Sequence, residues 1–135
     1  MVSSGDHRPA SPERLWMGID LGTSAVKAVL VDERGETRSR ARTPMPLLCP
    51  SPRAAEQEAD VWWDACVASI QACLEGGGSF EIGGIGLTGQ KHALLALDAA
   101  GAPLAPARLW ADGRAVGEAA WFADRVPDLG RLTGA

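Results

Sequence analysis

The stretch GIDLGTSAVKAVLVD, residues 18–32, joins two apolar, strand-like segments through a short polar break. The break consists of Asp20 and, after one leucine, Gly22, Thr23 and Ser24. A glycine in a tight turn lets backbone N–H groups converge on an anion, and the two hydroxyls add further donors. A carboxylate at the end of the first strand can hold Mg²⁺ beside phosphate oxygens. The pattern indicates a corner that binds phosphate and metal, with a plain strand–turn–strand as the alternative.

Lys27 lies three residues after this break and can reach the same phosphates as a point charge. Phosphoryl transfer needs a metal, donors around the phosphate and a base, so this stretch offers the first two. The chain does not contain the G-x-x-x-x-G-K-[ST] pattern, so the corner is not a P-loop.

Composition limits the function classes. With 135 residues, of which 46% are hydrophobic, the chain has the size and the apolar content of one ordinary domain. Its net charge of −4 gives no basic field for nucleic acid or anionic lipid, and no apolar run is long enough to span a membrane. Three cysteines, Cys49, Cys66 and Cys73, form no C-x-x-C pair and fit neither a zinc site nor a disulfide framework. We therefore expect a cytoplasmic protein with no nucleic-acid or membrane partner.

Residues 1–14 are rich in proline, serine and charge, so we expect them to be disordered, and we expect a folded region at 15–135. We expect the first three strands to pair antiparallel and the strand after the first helix to add in parallel. The predicted elements are strands at 15–20, 25–31 and 36–43, a helix at 61–75, strands at 82–88 and 92–98, and a helix at 114–126.

Three details of these elements are open to test. Asp60 is predicted to cap the first helix, whose apolar stripe would be Val61, Ala65, Ile70 and Leu74, with Cys66 and Cys73 beside it. Of Trp62 and Trp63, one ring is expected to pack in the core while the other shields it, which we favour over a ligand platform. The alternating Arg38, Arg40 and Arg42 favour a solvated strand face over an anion site.

Four segments, in this order, resemble the FGGY family of carbohydrate kinases, and within that family the xylulokinases. The family belongs to the superfamily that also contains actin and the heat-shock chaperones. Together the segments cover about residues 16–135. They are GIDLGTSAVKAVLVDERGE, EQEADVWWDACVASI, IGGIGLTGQKHALLALDAAGAPLAPARLWADGRA and RVPDLGRLTGA.

The resemblance implies an α/β fold of the ribonuclease-H-like (actin-like ATPase) type, a mixed sheet with flanking helices, here as an incomplete domain. It implies the N-terminal fragment of a sugar kinase that uses ATP and Mg²⁺ to phosphorylate a hydroxyl of a pentulose such as D-xylulose. The family's second domain and its catalytic aspartate would lie beyond Ala135, so we expect the chain alone to be inactive. The full-length enzyme could be a homodimer.

By the same resemblance, Asp20 would associate with the metal, and Gly22, Thr23, Ser24 and Lys27 would bind the ATP phosphates. The sugar side would be formed by Gln90, Lys91, His92, Trp110, Asp112 and Arg114. Two positions depart from the xylulokinase pattern Gln-Met-His-Gly, because Lys91 replaces methionine and Ala93 replaces glycine, and both put xylulose in doubt as the substrate.

The residues alone leave other interpretations open. His92 also fits a hydrogen-bonded histidine at a strand end, and Asp112 and Arg114 also fit residues that cap and lead the next helix. For the whole chain, the alternatives are a non-catalytic truncated remnant, or a ligand-binding or assembly member of the actin-like superfamily.

Overall fold

The computed structural model describes residues 12–76 and 78–134. The predicted disorder of residues 1–11 therefore lies outside the described residues, and Glu13 and Arg14 already belong to the first strand. The chain divides into two compact units. The first comprises the described residues up to Pro44 together with Trp63–Gly89, and the second comprises Met45–Trp62 together with the described residues from Gln90 onward.

The first unit contains a four-stranded mixed sheet in the order β3-β2-β1-β5. Strands β1 and β2 pair antiparallel, as do β2 and β3, whereas β5 adds to β1 in parallel. Both predictions of strand pairing are therefore confirmed. The elements of the whole chain are β1 Glu13–Leu21, β2 Ala25–Val31, β3 Thr37–Pro44, β4 Glu56–Gln57, α1 Ala59–Glu75, β5 Phe80–Gly89, β6 Ala107–Arg108, α2 Val116–Arg125 and α3 Leu129–Thr133.

The turn between β2 and β3 forms at the predicted place. Gly35 has a φ of 81° and donates its N–H to the carbonyl oxygen of Asp32 at 3.0 Å. The Asp32 carboxylate accepts the backbone N–H groups of Glu36 and Arg34, each at 2.9 Å. These two N–H groups, Glu36 first, lower the pKa of Asp32 below its usual value because they stabilise the ionised carboxylate. The aspartate and the glycine together fix the connection.

Helix α1 packs on one face of this sheet through a stripe that includes Ala65 and Cys73, as predicted, but also Ser69, which was not predicted. Its buried residues are Ala65, Ser69 and Cys73, spaced four apart, whereas Leu74 is exposed. The Ser69 hydroxyl lies 2.7 Å from the Thr43 hydroxyl oxygen and 3.2 Å from the Val26 carbonyl oxygen. Small side chains allow close approach, and these bonds make a buried hydroxyl tolerable. A search for apolar periodicity passes over a serine.

Two further details of α1 correct the predictions. The helix begins at Ala59, so Asp60 lies in its first turn instead of capping it. Trp63 is 72% exposed and Trp62 is half-buried, so neither ring is a core residue. The sheet face beneath the helix carries the main apolar core of the unit, which includes Leu15, Met17, Ile19, Val26, Ala28 and Leu30.

The second unit has little regular sheet. The strand predicted at 92–98 is absent, and isolated bridges join Leu94 to Arg108 and Leu97 to Pro103 instead. Proline has no N–H to donate, so Pro103 and Pro106 prevent a continuous ladder here. Among the described residues of this unit, regular pairing is limited to β4 with β6, and β4 was not predicted because it is two residues long.

Helix α2 begins two residues later than predicted, at Val116, and α3 follows it without having been predicted. Neither helix buries a side chain. Among the described residues, no helix has the length and apolar character needed to cross a membrane.

Leu30→Ala should destabilise this chain by about 2–5 kcal/mol, because the Leu30 side chain is fully buried and its loss leaves a cavity. Leu87→Ala is the matched control in the same sheet, since Leu87 is 75% exposed and should change stability by less than about 0.5 kcal/mol. Urea unfolding of both variants measures the difference. Equal losses of stability would contradict this assignment of the core.

Candidate functional site

The turn between β1 and β2 leaves little room for a side chain at its first position. Gly22 donates its N–H to the carbonyl oxygen of Ala25 at 3.1 Å, and a Cβ on Gly22 would lie 3.1 Å from that same oxygen. The turn then continues through Thr23 and Ser24. The structure therefore forms the hairpin with its glycine where the sequence predicted it.

Asp20 lies one residue before the end of β1, with a neighbour on each side in the sheet. Lys27 on β2 is directly opposite, and its Nζ atom is 3.4 Å from Oδ2 of Asp20. Thr88 on β5 is the parallel partner of Asp20. The ion pair is weak, because 42% of the Asp20 side chain and 61% of the Lys27 side chain are exposed. The carboxylate is therefore accessible to a ligand.

Thr88 is a neighbour of Asp20 that the sequence analysis missed. The predicted parallel pairing contained the necessary signal, since aligning the C-terminal ends of two parallel strands places their last residues side by side. Ligands in α/β sheets bind outside the carboxyl ends of strands. Thr88 thus belongs to the same edge as Asp20.

The residues at this corner fit Mg²⁺ held jointly with phosphate oxygens. Mg²⁺ in nucleotide enzymes is held by one or two carboxylates, with phosphate and water completing its shell. In the described part of the chain, no group of three or more His, Cys, Asp or Glu residues could hold a metal ion by itself. Asp20 is partly exposed beside a turn that a Cβ at Gly22 would crowd, and it provides the single carboxylate that such a site needs.

An open groove runs across the sheet beside Asp20. Its floor includes Gly18, Val29 and Gly86, and its polar residues include Asp20, Lys27, Arg40, Arg42 and Thr88. The arginine face predicted on β3 is exposed to solvent, and Arg38 within it is paired with Glu13 at 2.7 Å.

The predicted sugar-side residues lie in the second unit. Gln90 directly follows β5, and its Nε2 atom is 3.4 Å from Oε1 of Gln57. Lys91 and His92 are exposed. His92 has a φ of 60°, a left-handed conformation that is uncommon outside glycine and that Asn, Asp and His adopt more readily than most other residues.

Asp112 and Arg114 are joined to each other and to β4. The Asp112 carboxylate accepts the backbone N–H of Ala55 at 3.0 Å and the Arg114 guanidinium at 2.6 Å. Arg114 also donates to Glu56 at 2.5 Å. Both side chains therefore tie the segment that follows Trp110 to Ala55 and Glu56, and Trp110 itself is 63% exposed.

These contacts shift both pKa values. The Arg114 guanidinium, and after it the N–H of Ala55, holds the pKa of Asp112 well below its usual range. The two carboxylates, Asp112 first and Glu56 second, raise the pKa of Arg114. The charged forms are the ones that hold the segment.

Gln57 is the second residue that the sequence analysis missed. It is fully buried on β4, where its Nε2 atom donates to the carbonyl oxygen of Pro46 at 3.1 Å. Its Oε1 atom accepts from Trp62 Nε1 at 2.9 Å and faces Gln90. In the sequence this residue stands within a run of acidic side chains and carries no pattern of its own.

The sheet order and the hairpin define a domain of the ribonuclease-H-like, actin-like ATPase fold, and the solved structures agree. The crystal structure of a xylulose kinase from Rhodospirillum rubrum superposes with a TM-score of 0.81 at 33% identity, covering 84% of this chain and 24% of that one. Residues 15–127 match the model of the N-terminal domain of the FGGY family of carbohydrate kinases. The chain belongs to this family, which confirms the predicted fold and family.

Curated relatives are similar over most of the chain. The xylulose kinase of Escherichia coli K12 is 35% identical over 120 residues, which are 89% of this chain and 25% of the relative. The L-xylulose/3-keto-L-gulonate kinase of the same organism is 36% identical over 116 residues, 84% of this chain and 23% of the relative. The chain thus spans about a quarter of the length of these relatives.

Asp112→Asn should lower the stability of this chain at pH 7, because the neutral amide loses its charged bonds to Arg114. A carboxyl whose folded pKa is depressed contributes stability above its unfolded pKa, about 4, and loses that contribution as the pH falls further. The stability difference between wild type and variant should therefore shrink below about pH 4. Urea unfolding between pH 7 and pH 2 measures it.

Asp124→Asn is the control for this experiment, because its side chain is 79% exposed on α2. It should change stability little at any pH. A difference for Asp112→Asn that stays constant down to pH 2 would contradict the role given to its charge.

Proposed function

We propose that this chain supplies the phosphate-and-metal corner and the sugar-side residues of an ATP-dependent kinase that phosphorylates a hydroxyl of a pentulose, with D-xylulose as the first candidate. Family membership and the similarity to kinases named for xylulose support the proposal. The observation that carries it is the exposed carboxylate of Asp20 at the end of a strand, beside a turn closed by Gly22.

The chemistry of phosphoryl transfer gives each residue a role. Mg²⁺, when bound, neutralises charge on the phosphates. Asp20 would hold the metal, and Thr23 and Ser24 would donate to the ATP phosphates from the turn that Gly22 begins. Lys27 lies opposite Asp20 and would exchange that weak ion pair for a phosphate contact.

The sugar would be bound by the second unit. Gln90, Lys91 and His92 would contact its hydroxyls, and Trp110 would offer an exposed ring to its apolar face. Asp112 and Arg114 would hold Trp110 in place. Removal of the hydroxyl proton requires a base, which we assign to the part of a full-length kinase that this chain does not span.

A sugar acid is the second candidate substrate, and Lys91 favours it. An exposed ammonium in the Gln90–His92 segment can pair with a substrate carboxylate, and the pairing would distinguish a keto-acid from a neutral pentulose. One of the relatives is named for both L-xylulose and 3-keto-L-gulonate. A panel of neutral and acidic ketoses, assayed with the wild type and Lys91→Met, separates the two candidates.

Asp20→Asn in the full-length kinase should lower kcat/KM for sugar phosphorylation by about a hundredfold or more, because the amide is a poor ligand for Mg²⁺. Sugar binding, measured calorimetrically without nucleotide, should persist. Asp64→Asn is the control, since Asp64 is exposed on α1 and should leave the rate unchanged. Undiminished turnover in Asp20→Asn would remove Asp20 from the metal site. A wild type that binds ligand without phosphorylating any sugar would favour the non-catalytic alternative.

His92→Asn should raise the sugar KM by about threefold to tenfold through the loss of one hydrogen bond to the sugar. Asparagine tolerates the left-handed backbone, so the melting temperature should stay near that of the wild type. The KM for ATP should also stay the same. An unaltered sugar KM would return His92 to a purely structural role.

A further inference from the structure

We propose that Gln57 is a positioning residue that sets which way the side-chain amide of Gln90 faces, and that Trp62 determines the orientation of Gln57. The inference deepens the proposed function and rests on it, because it concerns how Gln90 would meet the sugar. All three residues belong to the second unit.

The first step is the environment of Gln57. A primary amide buried in a protein is costly unless its donor and its acceptor are both satisfied. Gln57 has no exposed surface, and its Nε2 atom donates to the Pro46 carbonyl oxygen while its Oε1 atom accepts from Trp62 Nε1. No buried side-chain nitrogen or oxygen in the described part of the chain lacks a partner.

The second step is polarity. The two arms of an amide have nearly the same shape, so packing alone cannot tell the oxygen from the nitrogen. An indole N–H can only donate, and a backbone carbonyl can only accept. Trp62 therefore requires the oxygen of Gln57 on its side, and Pro46 requires the nitrogen on the other. If the amide of Gln57 were flipped, its NH₂ group would face the N–H of Trp62 and its oxygen would face the carbonyl oxygen of Pro46, so neither hydrogen bond could form.

The third step concerns Gln90, whose orientation depends on that of Gln57. Nε2 of Gln90 is 3.4 Å from Oε1 of Gln57, a long hydrogen bond that favours the orientation of Gln90 in which its NH₂ group faces Gln57. Because the amide is planar, the oxygen of Gln90 lies on the arm that points away from Gln57. Gln90 is thereby oriented to accept a hydrogen bond from a sugar hydroxyl on that side. The indole N–H of Trp62, which does not contact Gln90 in this series of bonds, thus determines the side on which the oxygen of Gln90 lies.

We call the series of hydrogen bonds from Trp62 through Gln57 to Gln90 the relay, and two variants test it in the 135-residue chain itself. The measurement is the side-chain amide resonances of Gln90 in a ¹⁵N-labelled sample. Gln57→Met keeps the length of the side chain but removes its amide, and Trp62→Phe keeps a ring but removes its donor. Both should shift or broaden the Gln90 NH₂ signals. Trp63→Phe is the matched control, because this neighbouring ring is 72% exposed, and it should leave them in place.

Kinetics of the full-length kinase test the consequence. Trp62→Phe should raise the sugar KM by about threefold to tenfold, as expected for one misdirected hydrogen bond, with kcat and the ATP KM nearly unchanged. A ketose that lacks the hydroxyl from which Gln90 accepts a hydrogen bond should bind the wild type more weakly than the parent ketose does. Trp62→Phe and Gln90→Ala should bind the two ketoses with equal affinity. A general loss of structure would not single out one hydroxyl in this way.

The outcomes separate the relay from the proposed function. If the wild-type kinase phosphorylates no sugar, the proposed function fails, while the Gln90 resonances still support or overturn the relay. The relay is overturned if Gln57→Met leaves those resonances unchanged. It is also overturned if Trp62→Phe and Trp63→Phe have the same sugar KM.

Discussion

The pairing of β1 with a strand on each side is the constraint on which the first unit depends. Strand β1 is hydrogen-bonded to β2 in antiparallel register and to β5 in parallel register, so it is an interior strand whose two edges are both occupied. This pairing buries Leu15, Met17 and Ile19 on one face and places Asp20 between Lys27 and Thr88. The position of the carboxylate is therefore a consequence of sheet register, since a shift by one residue would turn it to the other face.

In the second unit, many backbone N–H and C=O groups find their hydrogen-bond partners outside a sheet. Its long connections contain prolines and short pairings, so a continuous ladder is not available to most of their N–H and C=O groups. Side chains take over part of this task. Asp112 accepts the N–H of Ala55, Gln57 donates to the carbonyl of Pro46, and Asp98 accepts the N–H groups of Ala100 and Ala102. Removing any of these groups leaves a backbone or side-chain partner without its bond, which is why they matter more than their number suggests.

The sequence predicted the first unit more fully than the second, for a physical reason. Alternation of apolar residues in β1 and β2 and the Asp32–Gly35 turn are local signals, and each agrees with the tertiary structure. The strand predicted at 92–98 does not form. Leu94 and Leu97 do pair with another segment, but only through two isolated bridges. Apolar alternation describes the exposure of side chains and does not show whether a partner strand can supply a continuous ladder.

The same difference explains which site residues were found. Asp20 and Gly22 stand out because a charge and a glycine interrupt an apolar run, whereas Thr88 and Gln57 gain their meaning from residues distant in the chain. The resemblance predicted Asp112 and Arg114 on the sugar side. The alternative left open was that they only cap and precede the next helix. Arg114 forms ion pairs with Asp112 and with Glu56, which lies on a two-residue strand that no pattern predicts, and these bonds tie the segment after Trp110 to β4.

Trp62 and Trp63 show where sequence reasoning ends. Adjacent helical residues point about 100° apart, so the two rings cannot share an environment, but which ring turns inward depends on which face of the helix is packed. That face contains Ala65, Ser69 and Cys73, and the predicted apolar stripe identified it only in part. The structure gives the buried partner to Trp62, whose N–H can then impose a direction on Gln57 that shape alone could not. A single donor of fixed polarity thus determines the orientation of two amides, and the sequence contains that donor without showing which of two identical residues it is.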